Sequence, residues 1–379
     1  MTANTPNYAI PYPEITDFVK DGATAMEAIA EKVDDVLFAN VANRNLLYNG
    51  AMRVAQRATS VASITSPNYY TADRWEAAVT NQGTWTQSIE NDAPIGSGFR
   101  QSLKMLCTTA DASPAANDGL TFRQKLEGQD LQAIRKGTSD AKSLTMSFWV
   151  KSNKTGTYIA ELYDNDNNRQ ISKSYTINAS ATWEYKTITF PADTTGAFDN
   201  DNNTSLFCVF WLGAGSTFTS GTLNSTAWAS ATSADRAVGQ VNLADTTSNY
   251  WQVTGVQLVV GSTDTPFQFK SYAQELWECQ RYFQIYPYGQ IAEVVAPLGY
   301  QPANYYYGSQ NVRVPMRATP STTTPSPPTF RRASDATTQS GTIIYFLSQQ
   351  DGTRFAIACS NSGYNAVSLF LTSTASAEL

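Results

Sequence analysis

Histidine is absent from all 379 residues. That removes Ser-His-Asp and Cys-His nucleophilic arrangements, and with them any His-ligated zinc. Cysteine is scarce: Cys107, Cys208, Cys279 and Cys359 are far apart, with no C-x-x-C pair. They read as buried free thiols of a chain folded in a reducing cytoplasm, not as a zinc site or disulfide framework. Charge is sparse too. Only 15% of residues are Asp, Glu, Lys or Arg, against roughly 25% in ordinary globular domains. The net charge is −6, and between Thr187 and Phe269 Arg236 is the single basic residue. Gripping nucleic acid needs clustered Lys and Arg to replace phosphate counterions, so that class of partner is excluded. No apolar run approaches the ~18 residues of a membrane-spanning helix. The first residues lack the basic-then-apolar order of a signal peptide, so none is expected.

What is present is aromatic and polar: 12% aromatic residues, including 20 Tyr and 17 Phe. Such a composition suits half-buried strands. Residues 1–22 read as an extended arm in which Pro6, Pro11 and Pro13 disfavour a helix. "DGATAMEAIAEKVDDVLFANVANR" (21–44) follows, with Met26, Ile29, Val33 and Leu37 among apolar residues recurring at three- and four-residue steps. About two heptads make a marginal coiled coil alone. The helix therefore either packs on its own domain or bundles with copies of itself; an arm with no core of its own favours the second.

From Asn45 to about Lys270 the pattern is that of strands. "SLTMSFWVKS" (143–152) and "ATWEYKTITFP" (181–191) alternate, "SLFCVFWLG" (205–213) is continuously apolar, and "NYWQVTGVQLVVG" (249–261) closes the set. Turn residues separate them, which predicts an all-β sandwich of jelly-roll type. Beyond it, "SYAQELWECQRYFQIY" (271–286) predicts a short helix entering a strand. "GTIIYFLSQQDGTRFAIACS" predicts a hairpin turned at Asp351-Gly352. The fold expected is mainly β, in three parts: an N-terminal extended arm plus short helix (1–44), a jelly-roll β-sandwich (45–270) and a smaller C-terminal β domain (271–379).

Several phrases together resemble a known class. "RNLLYNGAMRVAQR" (44–57) with "YYTADRWEA" (69–77) is similar to the opening of many phage virion proteins. "VTGVQLVVGSTDTPFQFKSYAQELWECQRYFQ" (253–284) resembles the matching close of that domain, and "VRVPMRATP" (312–320) a segment downstream of it. The leading "PNYAIPYPEITDFVKDGATAMEAIAEKVD" resembles the attachment segment of tailed-phage fibres. The resemblance implies a virion appendage, usually a homotrimer, assembled in the host cytoplasm, with a carbohydrate-binding-module-like jelly roll. The arm (Tyr8, Ile10, Tyr12) and helix (Met26, Ile29, Val33, Leu37) would then attach it to other virion proteins and trimerise it. Recognition of a host-surface glycan is implied by the resemblance alone, since one fold serves many uses. The rival readings are a head, collar or neck fibre binding only other virion proteins, and a polysaccharide-cleaving spike.

Three sets of residues are candidate sites. "DNDNN" occurs twice, at 164–168 and 199–203. Asp164, Asp166, Asp199 and Asp201 have calcium-loop spacing, but position six is Arg169 or Thr204 instead of Gly, and position twelve Tyr175 or Phe210 instead of Glu. Two strand connections with similar turn chemistry are the favoured reading, a shared calcium site the alternative, and no other cofactor is implied. Trp228, in the polar stretch "STFTSGTLNSTAWASATSADR" (216–236), and Tyr305, Tyr306 and Tyr307 are candidates for glycan contact or for subunit packing. Trp75, Trp149, Trp211 and Trp251 read as core, and Trp183 stays open. The four Asp could also serve as paired carboxylates, but no internal repeat suggests the β-helix that carries such chemistry. The expectation is a protein that is not an enzyme.

Overall fold

A computed structural model gives the fold. It describes residues 3–4, 11–12, 18, 22–41, 45–293, 305–311, 313–323, 329–332, 338–340, 342–348, 354–360 and 366–379, with side chains at 12, 18, 22–34, 45–285, 313–321 and 374–379. The chain forms two compact units, Met1–Ser271 and Tyr272–Leu379.

The first unit opens with a pair of two-residue strands, β1 (Ala3–Asn4) and β2 (Pro11–Tyr12). Pro11 sits at the first residue of its strand, where a proline is tolerated. The amphipathic stretch forms α1 (Gly22–Val41). Among its described apolar side chains Ala25 is buried and Ile29 half-buried, but Met26 is 71% exposed and Val33 36%. Tyr12 is also exposed; Tyr8, Ile10 and the side chain of Leu37 lie outside the described residues.

Twelve strands build the sandwich: β3 (Ser60–Ile64), β4 (Glu76–Thr80), β5 (Thr84–Glu90), β6 (Ser102–Thr109), β7 (Gly119–Glu127), β8 (Leu144–Ser152), β9 (Gly156–Asp164), β10 (Arg169–Ile177), β11 (Glu184–Phe190), β12 (Thr204–Ala214), β13 (Ala229–Ser230) and β14 (Tyr250–Val260). They form two six-stranded antiparallel sheets, ordered β13-β10-β9-β12-β7-β4 and β11-β8-β14-β6-β5-β3. Apart from the hairpins β5–β6 and β9–β10, neighbouring strands in each sheet are not consecutive in sequence, the crossing pattern of a jelly roll. The period-two alternation of the sequence sends Leu120, Phe122 and Leu126 of β7, and Phe148 and Val150 of β8, into one core between the sheets. At its centre Trp75 stacks on Phe122 (centroids 4.9 Å, 8°). Phe210 meets Phe148 edge-on at 4.9 Å and leans on Trp251 at 5.4 Å. Burying each such ring contributes ~2–3 kcal/mol, so this cluster fixes how the sheets face each other. Cys107 and Cys208 lie here as free buried thiols.

The phrases that carry the virion resemblance are a structural latch. Asn49, fully buried, has positive φ (53°); its Oδ1 accepts from Arg53 N (2.9 Å) and Val54 N (3.0 Å). Its Nδ2 donates to Val54 O (2.8 Å) and Asp73 O (3.0 Å), and its own carbonyl accepts from Trp75 Nε1 (3.2 Å). The Asp73 carboxylate accepts from Gln56 N (3.0 Å) and pairs with Arg57, while Arg74 Nη2 donates to Lys125 O (2.6 Å). Gly50 lies so near β14 that a Cβ would sit 2.0 Å from Val256 O. Asn-Gly, Gln-Arg and Ala-Asp-Arg-Trp therefore tie the entry of the domain to β14 and to the rim of the core.

In the second unit α3 (Tyr272–Gln280) runs into β15 (Phe283–Glu293), as the sequence predicts. With β16 (Tyr305–Asn311), β17 (Ser321–Thr323), β18 (Thr329–Arg332), β19 (Thr338–Ser340), β20 (Thr342–Ser348), β21 (Arg354–Ser360) and β22 (Ala366–Ser376), it makes one sheet ordered β15-β22-β18-β19, where β17 also pairs β22, and another ordered β16-β21-β20. β20 and β21 pair antiparallel, but the turn at Asp351-Gly352 lies outside the described residues. The two resembling phrases of this unit interlock: Gln284 Nε2 donates to Gln280 O (2.9 Å) and Val314 O (2.8 Å), and Arg317 N donates to Arg281 O (3.0 Å). Tyr305, Tyr306 and Tyr307 open β16, and their side chains lie outside the described residues.

Candidate functional site

The two "DNDNN" runs meet in space. The first makes the β9–β10 hairpin turn, where Asp164 pairs Arg169; the second is the loop entering β12. Asp166 Oδ2 accepts from Asp199 N (3.0 Å), and Asn165 N donates to Ser205 O (2.8 Å). Asp201 closes its own turn by accepting from Asn203 N (2.9 Å). Both runs thus close turns through their own side chains and backbone. Asp164 is withdrawn from any metal set by Lys136, whose Nζ donates to Asp164 Oδ2 (2.5 Å), Thr195 O (2.9 Å) and Gly196 O (2.7 Å) and lies 3.1 Å from Asp193 Oδ2. Among the described residues no group of three or more acidic or thiol side chains is arranged to hold a metal ion.

Of the two readings offered for Trp228, glycan contact or packing, its burial supports packing and removes it from the glycan candidates. It is 8% exposed, its Nε1 donates to Pro191 O (2.9 Å), and Lys136 Nζ lies 5.4 Å from its centre. The stretch is not a plain loop: α2 (Ser216–Thr219) starts it, and β13 adds an edge strand to β10 (Gln170↔Ala229) that turns the indole inward. Trp183 is half-buried and donates to Asp92 Oδ1 (3.2 Å). A hollow of about 380 Å³ beside Leu131, Gln132 and Phe198 includes Lys136, whose charge is already matched by two carboxylates.

A different surface collects the right chemistry. On the outer face of the first sheet a groove of about 310 Å³ is floored by β4, β7, β12 and β9. Register places Glu76, Arg123, Val209 and Glu161 in one row across four strands. Lys125, Phe207 and Tyr163 form the row on one side; Ala78, Thr121, Trp211 and Ile159 form the row on the other. Tyr163 and Phe207 meet edge-on at 5.8 Å, and Trp211 leans on Phe218 at 5.1 Å.

Two ion pairs stiffen this floor. Arg123 Nε donates to Glu76 Oε2 (2.7 Å), which Lys125 Nζ also approaches at 3.2 Å. Burial alone would raise the Glu76 carboxyl, but the bond and charge of Arg123, aided by Lys125, hold it below its usual value. Glu161, fully buried, accepts from Arg236 Nε (2.7 Å), Arg236 Nη2 (3.0 Å) and Trp211 Nε1 (2.8 Å). Arg236 is thereby fixed with its guanidinium 5.0 Å from the Tyr163 ring centre and 5.3 Å from that of Trp211. Aromatic faces beside planar, pre-oriented hydrogen-bonding groups are what a sugar ring needs: its C–H face stacks and its hydroxyls bond at the edges.

The sequence reading missed this face. Trp211 reads as core because "SLFCVFWLG" is apolar on both faces, and it is indeed nearly buried, yet it faces outward from the sandwich core. The available signal was Arg236, a lone base in an acidic stretch. No family model matches the chain, and no curated protein matches it. Solved structures similar to part of it include the enzymatically active domain of bacteriophage CBA120 tailspike protein 4 (TM-score 0.30, 13% identity, 57% of this chain and 21% of that one). Another is the family 11 carbohydrate-binding module of Clostridium thermocellum with a mixed-linked tetrasaccharide (0.29, 12%, 54% and 98%). A third is the CBM22-1 xylan-binding domain of Paenibacillus barcinonensis Xyn10C (0.25, 12%, 54% and 94%). This chain thus spans about a fifth of the tailspike domain and nearly all of each module.

Proposed function

We propose that this chain is a non-enzymatic appendage protein of a phage virion, a homotrimeric tail fibre or similar structure. It would attach by residues 1–44 and hold a host-surface glycan in the groove of its sandwich. The observation that carries glycan binding is the groove: Tyr163, Phe207 and Trp211 beside two arginines locked by carboxylates. The virion role rests on the phrases at 44–57, 69–77, 253–284 and 312–320. An acid catalyst for glycoside cleavage needs a raised carboxyl pKa; Glu76 is shifted the other way, which favours binding over cleavage. A fibre that binds only other virion proteins is the second reading, supported by the interlocked structural use of those phrases.

The test is competition. Purified protein is added to host cells before phage, and adsorbed particles are counted. Blocking should rise with dose, and Phe207→Ala should raise the half-blocking concentration about tenfold, the equivalent of ~1.4 kcal/mol of lost stacking. Absence of blocking by correctly assembled protein would reject host-glycan recognition and leave the fibre reading.

A further inference from the structure

Resting on that reading, we propose that the groove selects a glycan bearing carboxylates, an acidic sugar of uronate type, over a neutral one. The groove's lining includes two guanidinium groups, Arg123 and Arg236, and no carboxylate. Their partners lie underneath: Glu161 is fully buried and Glu76 6% exposed. A ligand therefore meets the positive side of both pairs. With Lys125 in the adjacent row, three cations stand over two carboxylates, on a chain whose net charge is −6. A lone exposed base would be unremarked, but these are held in place and partly dry.

Both arginines keep donors for a ligand. Arg123 engages Glu76 through Nε alone, and its Nη1 and Nη2 make no hydrogen bond among the described residues. Arg236 binds Glu161 through Nε and Nη2, leaving Nη1. Their side chains are 28% and 23% exposed, so the remaining donors are reachable. A planar N–H fork matches a carboxylate bidentately, whereas a hydroxyl uses one donor at a time. Arg123 and Glu161, the carboxylate that holds Arg236, both register with Val209, two strand spacings apart, so roughly 10 Å separates the backbone of Arg123 from that of Arg236's partner. The aromatic rings between would take the sugar faces, and each guanidinium a carboxylate.

The full-length protein should be applied to an array in which each uronate-bearing oligosaccharide is printed beside its methyl-esterified or carboxyl-reduced counterpart. The expected result is binding confined to the acidic member of a pair, at least tenfold stronger and weakened by added salt. Arg123→Gln leaves Glu76 with Lys125 and should cut the acidic preference by about threefold, since Arg236 still takes one carboxylate. Phe207→Ala should weaken both members. Binders that are neutral, or equal affinity within pairs, would overturn the inference and keep the groove as a glycan site. No binder anywhere on the array would overturn the groove reading itself, and this inference with it.

Discussion

Lys136 shows how a single side chain can decide between two readings of an acidic sequence. Its ammonium, 2% exposed, sits among Asp164, Asp193 and two backbone carbonyls, the oxygen-rich shell that a calcium ion would otherwise require. Nothing in "DNDNN" reveals this, because the lysine comes from 28 residues earlier in the chain. Lys136→Met should destabilise the fold by about 3–5 kcal/mol, since Asp164 would stay buried without its cation while Asp193 kept only Arg169; urea denaturation would measure it. Acid should act at the same place. Burial alone would raise the Asp193 carboxyl, but hydrogen bonds from Arg169 and Lys136 outweigh it and hold its folded pKa below 3.8. Its contribution is then present above about pH 3.8 and is lost as pH falls through the lower, folded value. Melting temperature followed from pH 6 to pH 2 should show that loss in the wild type and a smaller one in Lys136→Met, where Arg169 alone remains on Asp193. A variant as stable as the wild type would mean that the lysine is not what satisfies Asp164.

At the level of elements, the latch at 45–75 separates what a motif signals from what it does. Asn49 makes four side-chain hydrogen bonds inside the protein. Asn49→Ala would leave their partners without a mate in a buried place and should cost ~3 kcal/mol, with glycan affinity of the folded fraction unchanged. A loss of affinity without loss of stability would instead tie the latch to the ligand. The strands themselves were legible: β8, β11, β12 and β14 fall where alternation and turn residues put them, because period two is a local property. Which face of β12 meets the core was not legible. Its residues are apolar on both sides, and only pairing with β7 and β9 separates Phe210 inward from Trp211 outward. The sequence left Trp228 between contact and packing for the complementary reason: its neighbours are polar, and the edge pairing that buries it is a long-range contact. The groove shares that origin, since Arg123, Glu161 and Arg236 come from three separate stretches of the chain.

On the scale of the whole molecule, two residues of the apolar stripe of α1 are left exposed in the single chain. Met26 at 71% and Val33 at 36% exposure recur seven residues apart on one side of a 20-residue helix, the spacing at which helices meet one another. A monomer would hold these side chains in water, whereas copies packed stripe to stripe would bury them. The full chain should therefore run in light scattering at about three times 41.4 kDa, and a chain lacking 1–44 should approach the single mass. Met26→Glu with Val33→Glu should do the same without shortening the chain, because like charges would face each other across the seam. The jelly roll should stay folded in that variant, since its core draws nothing from either residue. Groove affinity per chain should then be unchanged, while blocking of adsorption should fall more steeply than the loss of mass alone explains, through lost multivalency. A full chain that scatters as a monomer at micromolar concentration would end the trimer proposal, and the stripe would have to be assigned to the partner on which residues 1–44 dock.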